Sequence, residues 1–184
     1  MELPREFVIY DTEYTTWKGA WERGWSGPGE EKELVQIGVI RVRDLEETDS
    51  LLLYVQPRIN PVLSDYFKEL TRITQEEVDT QGVRFEAAYT TVMDWASDLP
   101  MYSYGPDHEV LRINHELYKT GTVIPEKQFN DVREHFAATG VDTSKYMSST
   151  IPKAYGLIPP LAGHDALNDA RSILMALKAV YTTE

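Results

Sequence analysis

Three apolar runs in the first third of the chain have the residue types of β-strands. They span residues 7–10, 34–42 and 51–55, and acidic turn residues separate the second run from the third. Short runs rich in β-branched and aromatic residues between turn-forming residues are typical of strands. The first part of the chain is therefore predicted to form a β-meander, with Asp11 directly after its first strand.

The second half of the chain alternates between strand and helix patterns. Apolar residues recur at helical spacing in residues 85–97, 107–118 and 166–181, whereas residues 101–104 predict a strand and residues 129–138 a short strand leading into a helix. This order favours a layered α/β fold. No internal repeat or low-complexity segment divides the chain, so we expect a single domain over residues 1–184.

Four carboxylates and a histidine stand at the ends of these predicted elements. Asp11 and Glu13 are separated by one residue, so strand alternation puts both side chains on the same face. Asp107 begins a helix just after a strand, and His164 precedes Asp169 at the start of the last helix. Open α/β sheets gather their active sites where strands end and helices begin, so these side chains are expected to meet.

This set of side chains suits the hydrolysis of a phosphodiester with two bound metal ions. Mg²⁺ and Mn²⁺ prefer carboxylate oxygens, and two ions roughly 3.5–4 Å apart can activate water and stabilise the leaving oxygen. Asp11 is predicted to bridge both ions, with Glu13 and Asp169 completing the ion on the nucleophile side. Asp107 is predicted to act largely through water. His164 is predicted to be the general base, because an ordinary histidine has a pKa near 6.5.

Each of these residues alone also has an ordinary structural interpretation. Asp11 could start a turn, and Asp107 after Pro106 could be a helix N-cap. His164 could be a surface or capping histidine, and Asp169 an exposed carboxylate on a helix. The joint order and placement of the set favours the catalytic interpretation.

Three motifs that contain these residues resemble those of the DnaQ-like, DEDDh 3′→5′ exonucleases. Residues 8–13, VIYDTE, fit the first motif, and residues 164–171, HDALNDAR, fit the third and most specific one. The middle motif, YGPDHEVL in residues 104–111, fits more loosely and lacks a preceding His-Asn pair, which disfavours a proofreading enzyme. The pattern is most similar to the branch that contains the enhanced-RNAi, histone-mRNA and sporulation-inhibitor-like exonucleases.

A further match lies in residues 55–64 and 70–79, where LTRIT stands in place of the family's Leu-Thr-Gly-Ile-Thr. Arg72 replaces the usual glycine, so a different loop conformation is expected there. By analogy, Leu70 and Thr71 would lie beside the terminal nucleotide. The predicted substrate-binding set around the motifs is Thr12, Tyr14, Trp17, Leu70, Thr71 and Tyr104.

The resemblance implies a ribonuclease H-like α/β fold. Its sheet would be mixed and five-stranded, with the second strand antiparallel and helices on both faces. It also implies two Mg²⁺ or Mn²⁺ ions as cofactors, the 3′ end of a single-stranded nucleic acid as the partner, and nucleoside 5′-monophosphates as products. RNA and DNA both stay open as substrates, because no residue that reads the 2′-hydroxyl can be located.

The charge and composition narrow this hypothesis. The net charge of −12 is unusual for a protein that binds phosphates, so a small footprint on a short single-stranded end is expected. The absence of cysteine excludes disulfides, thiolate metal sites and cysteine nucleophiles. The start of the chain lacks the pattern of a secretory signal, and no apolar run has the length of a membrane span, so a cytoplasmic protein is expected.

Two alternatives stay open beside the 3′→5′ exonuclease. One is oligoribonuclease-like trimming of very short oligonucleotides, which the acidic charge favours. The other is a binding module that has kept the fold without cleavage. In the loop of residues 15–31, Trp17 and Trp21 could stack on nucleobases or pack down as a lid.

Overall fold

Five strands and six α-helices form the part of the chain described by the computed structural model, which comprises residues 2–159 and 163–181. The strands are β1 (Glu6–Tyr14), β2 (Leu34–Arg43), β3 (Glu46–Tyr54), β4 (Met101–Ser103) and β5 (Phe129–Asp131). The helices are α1 (Asp65–Thr71), α2 (Gln75–Gln81), α3 (Phe85–Ala96), α4 (Asp107–Leu117), α5 (Arg133–Ala137) and α6 (Ala166–Tyr181). None of the helices in these residues combines the length and apolarity needed to cross a bilayer.

The strands form one mixed sheet in the order β3-β2-β1-β4-β5. Strand β2 is antiparallel to both of its neighbours, whereas β1, β4 and β5 are parallel to one another. The predicted mixed five-stranded sheet with an antiparallel second strand is confirmed. Because β1 and β4 are adjacent and parallel, their carboxyl ends lie at the same edge of the sheet, which is where the predicted site residues follow them.

The two faces of β1 pack against different helices. Val8 and Tyr10 belong to the apolar cluster that contains residues of α3 and α4, whereas Phe7 and Ile9 belong to the cluster that contains residues of α6. The alternation of side chains along the strand therefore divides the core into two layers. Asp11 lies on the same face as Phe7 and Ile9, directed toward α6.

Several element boundaries differ from the sequence prediction. Strand β1 does not end before Asp11 but continues to Tyr14, paired with β2. Strand β3 begins at Glu46, so the turn before it is only Asp44 and Leu45, both with positive φ. The acidic residues that were expected in this turn lie on exposed positions of β3, because an edge strand can point charged side chains into water.

The sequence pattern did not predict α1 and α2. Each has only seven residues, and their buried residues are Phe67 and Thr71 in α1 and Val78 in α2. So few buried positions produce no repeating apolar face. Local capping stabilises both helices: the Ser64 hydroxyl accepts the Phe67 backbone N–H, and Thr74 begins a reciprocal capping box.

Helix α6 lies unusually close to the sheet because Gly38 has no side chain. Gly38 pairs with Asp11 across β1 and β2. A Cβ atom at residue 38 would lie 2.3 Å from the Leu167 backbone nitrogen and 2.5 Å from the Ala166 carbonyl carbon. The buried Gln36 side chain also accepts the Ala166 backbone N–H at 2.8 Å, so β2 both admits the first turn of α6 and caps it.

We expect Gly38→Ala to destabilise the protein and displace α6. The contacting atoms are backbone atoms of a helix, which cannot give way locally, and overpacking of this kind costs about 1–3 kcal/mol. Thermal unfolding measured with EDTA should show a Tm lowered by at least about 2 °C. An unchanged Tm would show that the helix tolerates a methyl group at this contact.

Candidate active site

Strand β1 delivers Asp11 and Glu13 to the face of the sheet that α6 covers. Both carboxylates are nearly inaccessible to solvent, with exposed fractions of 7% and 9%. Since the strand continues to Tyr14, Asp11 does not start a turn. The burial of two acidic side chains two residues apart requires something other than water to balance their charge.

Asp107 is the first residue of α4 and not its N-cap. The cap position belongs to Pro106, whose side chain makes no capping hydrogen bond. The Asp107 carboxylate instead accepts the backbone N–H of Thr12, between the two carboxylates of β1. Because α4 follows β4, the parallel neighbour of β1, the fold carries Asp107 to the end of β1.

Asp169 lies in the first turn of α6 and is 3% exposed, so it is not a surface carboxylate. Its Oδ2 accepts the His164 backbone N–H at 3.2 Å and the Ser148 hydroxyl at 3.3 Å. Its Oδ1 is buried and has no hydrogen-bond donor in the described part of the chain. A buried carboxylate oxygen without a donor is costly unless a cation binds it.

These elements bring the predicted residues together. Ligand atoms of Glu13, His164 and Asp169 all lie within 4.8 Å of one another. Asp11 joins this group beside Ser148, whose hydroxyl donates to Asp169 and is close enough to Asp11 to lower the pKa of its carboxylate. Residues that are far apart in the sequence thus form one cluster at the carboxyl end of β1.

Burial and mutual repulsion raise the pKa values of the carboxylates in this cluster. Burial raises the pKa of Asp11 well above its usual range, and the charges of Asp107 and Asp169 raise it further. Burial, followed by Asp169 and Asp107, does the same to Glu13. Burial also raises the pKa of Asp107 and that of Asp169 to about 7 each. The cluster therefore needs positive charge to be fully ionised.

The donor set fits divalent cations. Four carboxylates offer hard oxygen ligands, and the unpartnered Oδ1 of Asp169 is an open ligand position. Asp11 and Glu13 lie on the same face of β1, ligand atoms of Glu13 and Asp169 lie within 4.8 Å of each other, and the charge of Asp107 acts on Asp11. Carboxylates that are buried together without a matching cation are typical of metal sites rather than of structural ion pairs.

His164 is half-buried and has a left-handed backbone, with φ +62°. Burial lowers its pKa below the usual value, and the positive charge of Arg72 lowers it further. The imidazole is therefore neutral at pH 7 and can accept a proton. The backbone N–H of His164 donates to Asp169.

The predicted substrate-binding residues fall into three groups. Thr12 and Tyr14 lie beside the carboxylates: Thr12 donates to Asp107, and the phenol of Tyr14 has a pKa raised by burial and then by the charge of Asp107. Thr71 and Tyr104 have internal partners instead, since their hydroxyls donate to Phe67 O and Thr143 O at 2.9 and 2.8 Å. The other two, Trp17 and Leu70, are half-buried.

An aromatic group extends from the site into the loop of residues 15–31. Tyr14 packs against Trp25, with ring centroids 5.5 Å apart, and Trp25 contacts Trp21 edge to face at 5.9 Å. The Lys32 ammonium lies 4.1 Å from the centroid of Trp25. Trp21 is 74% exposed, so this tryptophan does not pack down as part of a core.

Two residues near the cluster were not among the predicted site residues. Ser148 connects Asp11 to Asp169, and nothing in its local sequence distinguishes it from other surface serines. Arg72 donates to the carbonyl oxygen of Gly163, beside His164. The sequence feature that pointed to Arg72 was the replacement of the usual glycine in the LTRIT segment. Arg171, by contrast, pairs with Glu47 on β3 and not with a site carboxylate.

Comparison with known proteins places this chain among exonucleases. Residues 8–177 match the family model described as Exonuclease, RNase_T. A stretch of 94 residues, half of this chain, is 31% identical to ERI1 exoribonuclease 2 of Xenopus laevis, and the match spans 12% of that relative's length. The predicted resemblance to this exonuclease family is confirmed.

Solved structures share the fold. The nuclease domain of 3′hExo, a DEDDh family member bound to rAMP, has a TM-score of 0.81 and 23% identity, over 97% of this chain and 92% of that one. A 3′-exonuclease that recognises the 3′ end of a histone mRNA stem-loop has a TM-score of 0.81 and 22% identity, over 97% and 64%. An Escherichia coli ExoI–ssDNA complex has a TM-score of 0.69 and 17% identity, over 99% and 41%. The ribonuclease H-like fold is confirmed.

We expect Asp169→Asn to stabilise the metal-free protein at pH 8 and to have little effect at pH 4. The pKa of Asp169 is raised in the fold to about 7, so its contribution to stability is present below pH 4 and is lost as the pH rises through 7. The amide cannot ionise and avoids this loss. Thermal unfolding in EDTA should show a Tm higher by at least about 2–4 °C at pH 8.

The matched control for this measurement is Asp94→Asn, which removes an exposed carboxylate of α3. Its Tm should follow that of the wild type at both pH values. A lower Tm for Asp169→Asn than for the wild type at pH 8 would contradict the interpretation that the Asp169 carboxylate is destabilising without a cation.

Proposed function

The chain belongs to the Exonuclease family, RNase_T, and on that premise we propose that it is a metal-dependent 3′→5′ exonuclease of the DEDDh type. The observation that carries the proposal is the meeting of Glu13, Asp169 and His164 within 4.8 Å, next to a buried carboxylate oxygen without a donor. Residues 1–184 would act as a single exonuclease domain, since the family match spans residues 8–177.

Asp11, Glu13, Asp107 and Asp169 would hold two Mg²⁺ or Mn²⁺ ions. When bound, such ions activate a water and stabilise the leaving oxygen of a phosphodiester. Asp11 would be one of the residues that hold the ions, because the charges of Asp107, Asp169 and Glu13 all act on its carboxylate. Ser148 and the Thr12 backbone N–H orient the carboxylates through hydrogen bonds.

His164 would be the general base. Its neutral imidazole accepts the proton of the attacking water, and its lowered pKa keeps it in the accepting form at pH 7. The hydrogen bond from its backbone N–H to Asp169 couples its position to that of the carboxylates. The left-handed conformation of His164 is the local backbone geometry that accompanies this placement.

The proposed substrate is the 3′ end of a single-stranded nucleic acid. The proposed products are nucleoside 5′-monophosphates. RNA is the first substrate to test, because one relative is named an exoribonuclease and one solved structure concerns a histone mRNA. DNA is the second, because another structure similar in fold is a complex with ssDNA. Thr12, Tyr14, Trp17, Leu70, Thr71 and Tyr104 form the proposed substrate-binding set.

A second candidate function is the trimming of very short oligonucleotides. The net charge of −12 disfavours long contacts with a phosphate backbone. Several cations of the described residues are also engaged by acids, including Arg58 with Glu86 and Arg133 with Asp131. Both observations favour a substrate of a few nucleotides over a long strand.

We expect the purified protein to shorten a 5′-labelled single-stranded oligonucleotide stepwise, and only with Mg²⁺ or Mn²⁺. Asp11→Asn should reduce the rate at least about 1,000-fold, because one of the carboxylates that would hold the ions is lost. A gel assay should compare RNA and DNA of 3 and 20 nucleotides with EDTA blanks. A faster rate on the shorter substrate would favour trimming of short oligonucleotides.

The control for this assay is Asp94→Asn, which keeps every residue of the cluster and should keep the wild-type rate. Full activity of Asp11→Asn, or a ladder that forms equally well in EDTA, would contradict the proposed function. Release of the label from the 5′ end in the first turnover would contradict the 3′→5′ direction.

We further expect Trp21→Ala to raise the KM for a short oligonucleotide about fivefold or more with little change in kcat, because stacking on an exposed ring contributes about 1–3 kcal/mol per base. Trp21 is 74% exposed, so its removal should leave the Tm unchanged. Quenching of tryptophan fluorescence by the oligonucleotide in Ca²⁺ should also diminish. The control is Val123→Ala, which shortens another highly exposed apolar side chain. An unchanged KM and unchanged quenching would remove Trp21 from the substrate path.

A further inference from the structure

Arg72 has a backbone conformation that few residues with side chains adopt. It ends α1 with φ +65° and ψ +4°, and its backbone N–H donates to Lys68 O at 2.9 Å. Arg72 thus takes up the left-handed geometry that glycine favours, contrary to the expectation of a different loop conformation. Strained residues of this kind persist where the surrounding structure holds them, and they cluster at functional sites.

The side chain of Arg72 reaches a segment 91 residues further along the chain. Its guanidinium donates a hydrogen bond to the carbonyl oxygen of Gly163, the residue before His164. His164 also has a left-handed backbone, with φ +62°, and donates its N–H to Asp169. The Gly163 carbonyl and the His164 N–H belong to the same peptide group, so Arg72 and Asp169 hold that group from two sides, one through its carbonyl and the other through its N–H.

Arg72 is not engaged in an ion pair that would explain its position. Among the described residues, no carboxylate lies within ion-pair distance of its guanidinium, in contrast to Arg133, which Asp131 binds. Its charge nevertheless acts on the cluster. Burial raises the pKa of Glu13 and of Asp169 and lowers that of His164, and the positive charge of Arg72 lowers all three.

Gly163 is well placed to transmit this contact. A Cβ atom at residue 163 would lie 2.6 Å from the Cβ of Ser149 and 3.6 Å from Asp169 Oδ1. The backbone there is therefore packed against the cluster itself, and a hydrogen bond to its carbonyl fixes atoms that touch the site. Arginine suits this task because its planar fork keeps further donors free after one is used.

We propose that Arg72 is a positioning residue that holds the Gly163–His164 backbone in place, so that the His164 imidazole stays over Glu13 and Asp169. This role rests on the proposed function of His164. It predicts an effect on turnover more than on substrate binding, because the tether sets the geometry of the base.

The test compares Arg72→Gly with Arg72→Lys. Glycine fits the left-handed backbone, so Arg72→Gly should keep or raise the Tm, and a loss of activity cannot be attributed to unfolding. We expect its kcat to fall about tenfold with KM changed less than twofold, because the base is misplaced. Arg72→Lys, which can still donate one hydrogen bond to the Gly163 carbonyl, should recover part of kcat.

A second readout does not depend on activity. Hydrogen exchange followed by mass spectrometry should show faster exchange of the His164 amide in Arg72→Gly, because the N–H bonded to Asp169 would open more often. The matched control is Lys119→Gly, which also removes a cation from a left-handed residue after a helix, with φ +51°. Lys119→Gly should change neither kcat nor the exchange of His164.

Three results would overturn the proposal. Wild-type kcat in Arg72→Gly would show that the tether is dispensable. A raised KM with unchanged kcat would instead make Arg72 a substrate contact. A lowered Tm together with equal losses in Arg72→Gly and Arg72→Lys would show a purely structural role. If the wild type itself lacks exonuclease activity, the proposed function fails. The hydrogen-exchange measurement still tests the tether in that case, because unchanged exchange of the His164 amide in Arg72→Gly would contradict it.

Discussion

The close approach of α6 to β2 at Gly38 is the constraint on which the candidate site depends. A side chain at this position would meet the backbone of Ala166 and Leu167, so the first turn of α6 can lie on the sheet only because residue 38 is glycine. Gly38 pairs with Asp11, which puts the helix directly over the carboxylates of β1. Asp169, three residues into the helix, then meets residues that are more than 150 positions away in the sequence. A helix at an ordinary distance from the sheet would leave the carboxylates in two separate groups.

The clustering of buried carboxylates lowers the stability of the metal-free fold. Asp107 and Asp169 have pKa values of about 7 and the other carboxylates are raised as well, so near neutral pH the cluster holds protons that an exposed group would have released. A divalent cation would have to displace those protons. The affinity for metal therefore decreases as the pH decreases. The same burial that raises the carboxylate pKa values lowers that of His164. One low-dielectric environment therefore favours cation binding and keeps the His164 imidazole neutral, because an uncompensated charge is disfavoured in both cases.

The sequence revealed the parts of this site that local periodicity controls. Asp11 and Glu13 could be placed on one face because strand alternation is fixed, and the bounds of α6 followed from its apolar pattern. The contacts of Ser148 and the tether from Arg72 could not be found, since each joins segments that only the folded chain brings together. The helices α1 and α2 were missed because capping and not an apolar face stabilises them. Asp107 was correctly placed at the start of a helix, but its partner, the Thr12 N–H, lies across the sheet.

A further buried carboxylate, that of Glu33, shows that an oxygen without a hydrogen-bond donor, such as Oδ1 of Asp169, is not a general feature of buried acids in this fold. Glu33 is fully buried, and its oxygens accept the backbone N–H groups of Arg58, Ile59 and Asn60 and the Tyr118 hydroxyl. These donors hold the loop after β3 and leave no ligand position. Both oxygens of Glu33, a buried acid with a structural role, therefore have hydrogen-bond donors. Within the described residues, only Oδ2 of Asp169 has hydrogen-bond donors, and the buried Oδ1 has none. Since an unsatisfied buried carboxylate is costly, its retention beside Glu13 and Asp11 argues for a cation as the missing partner.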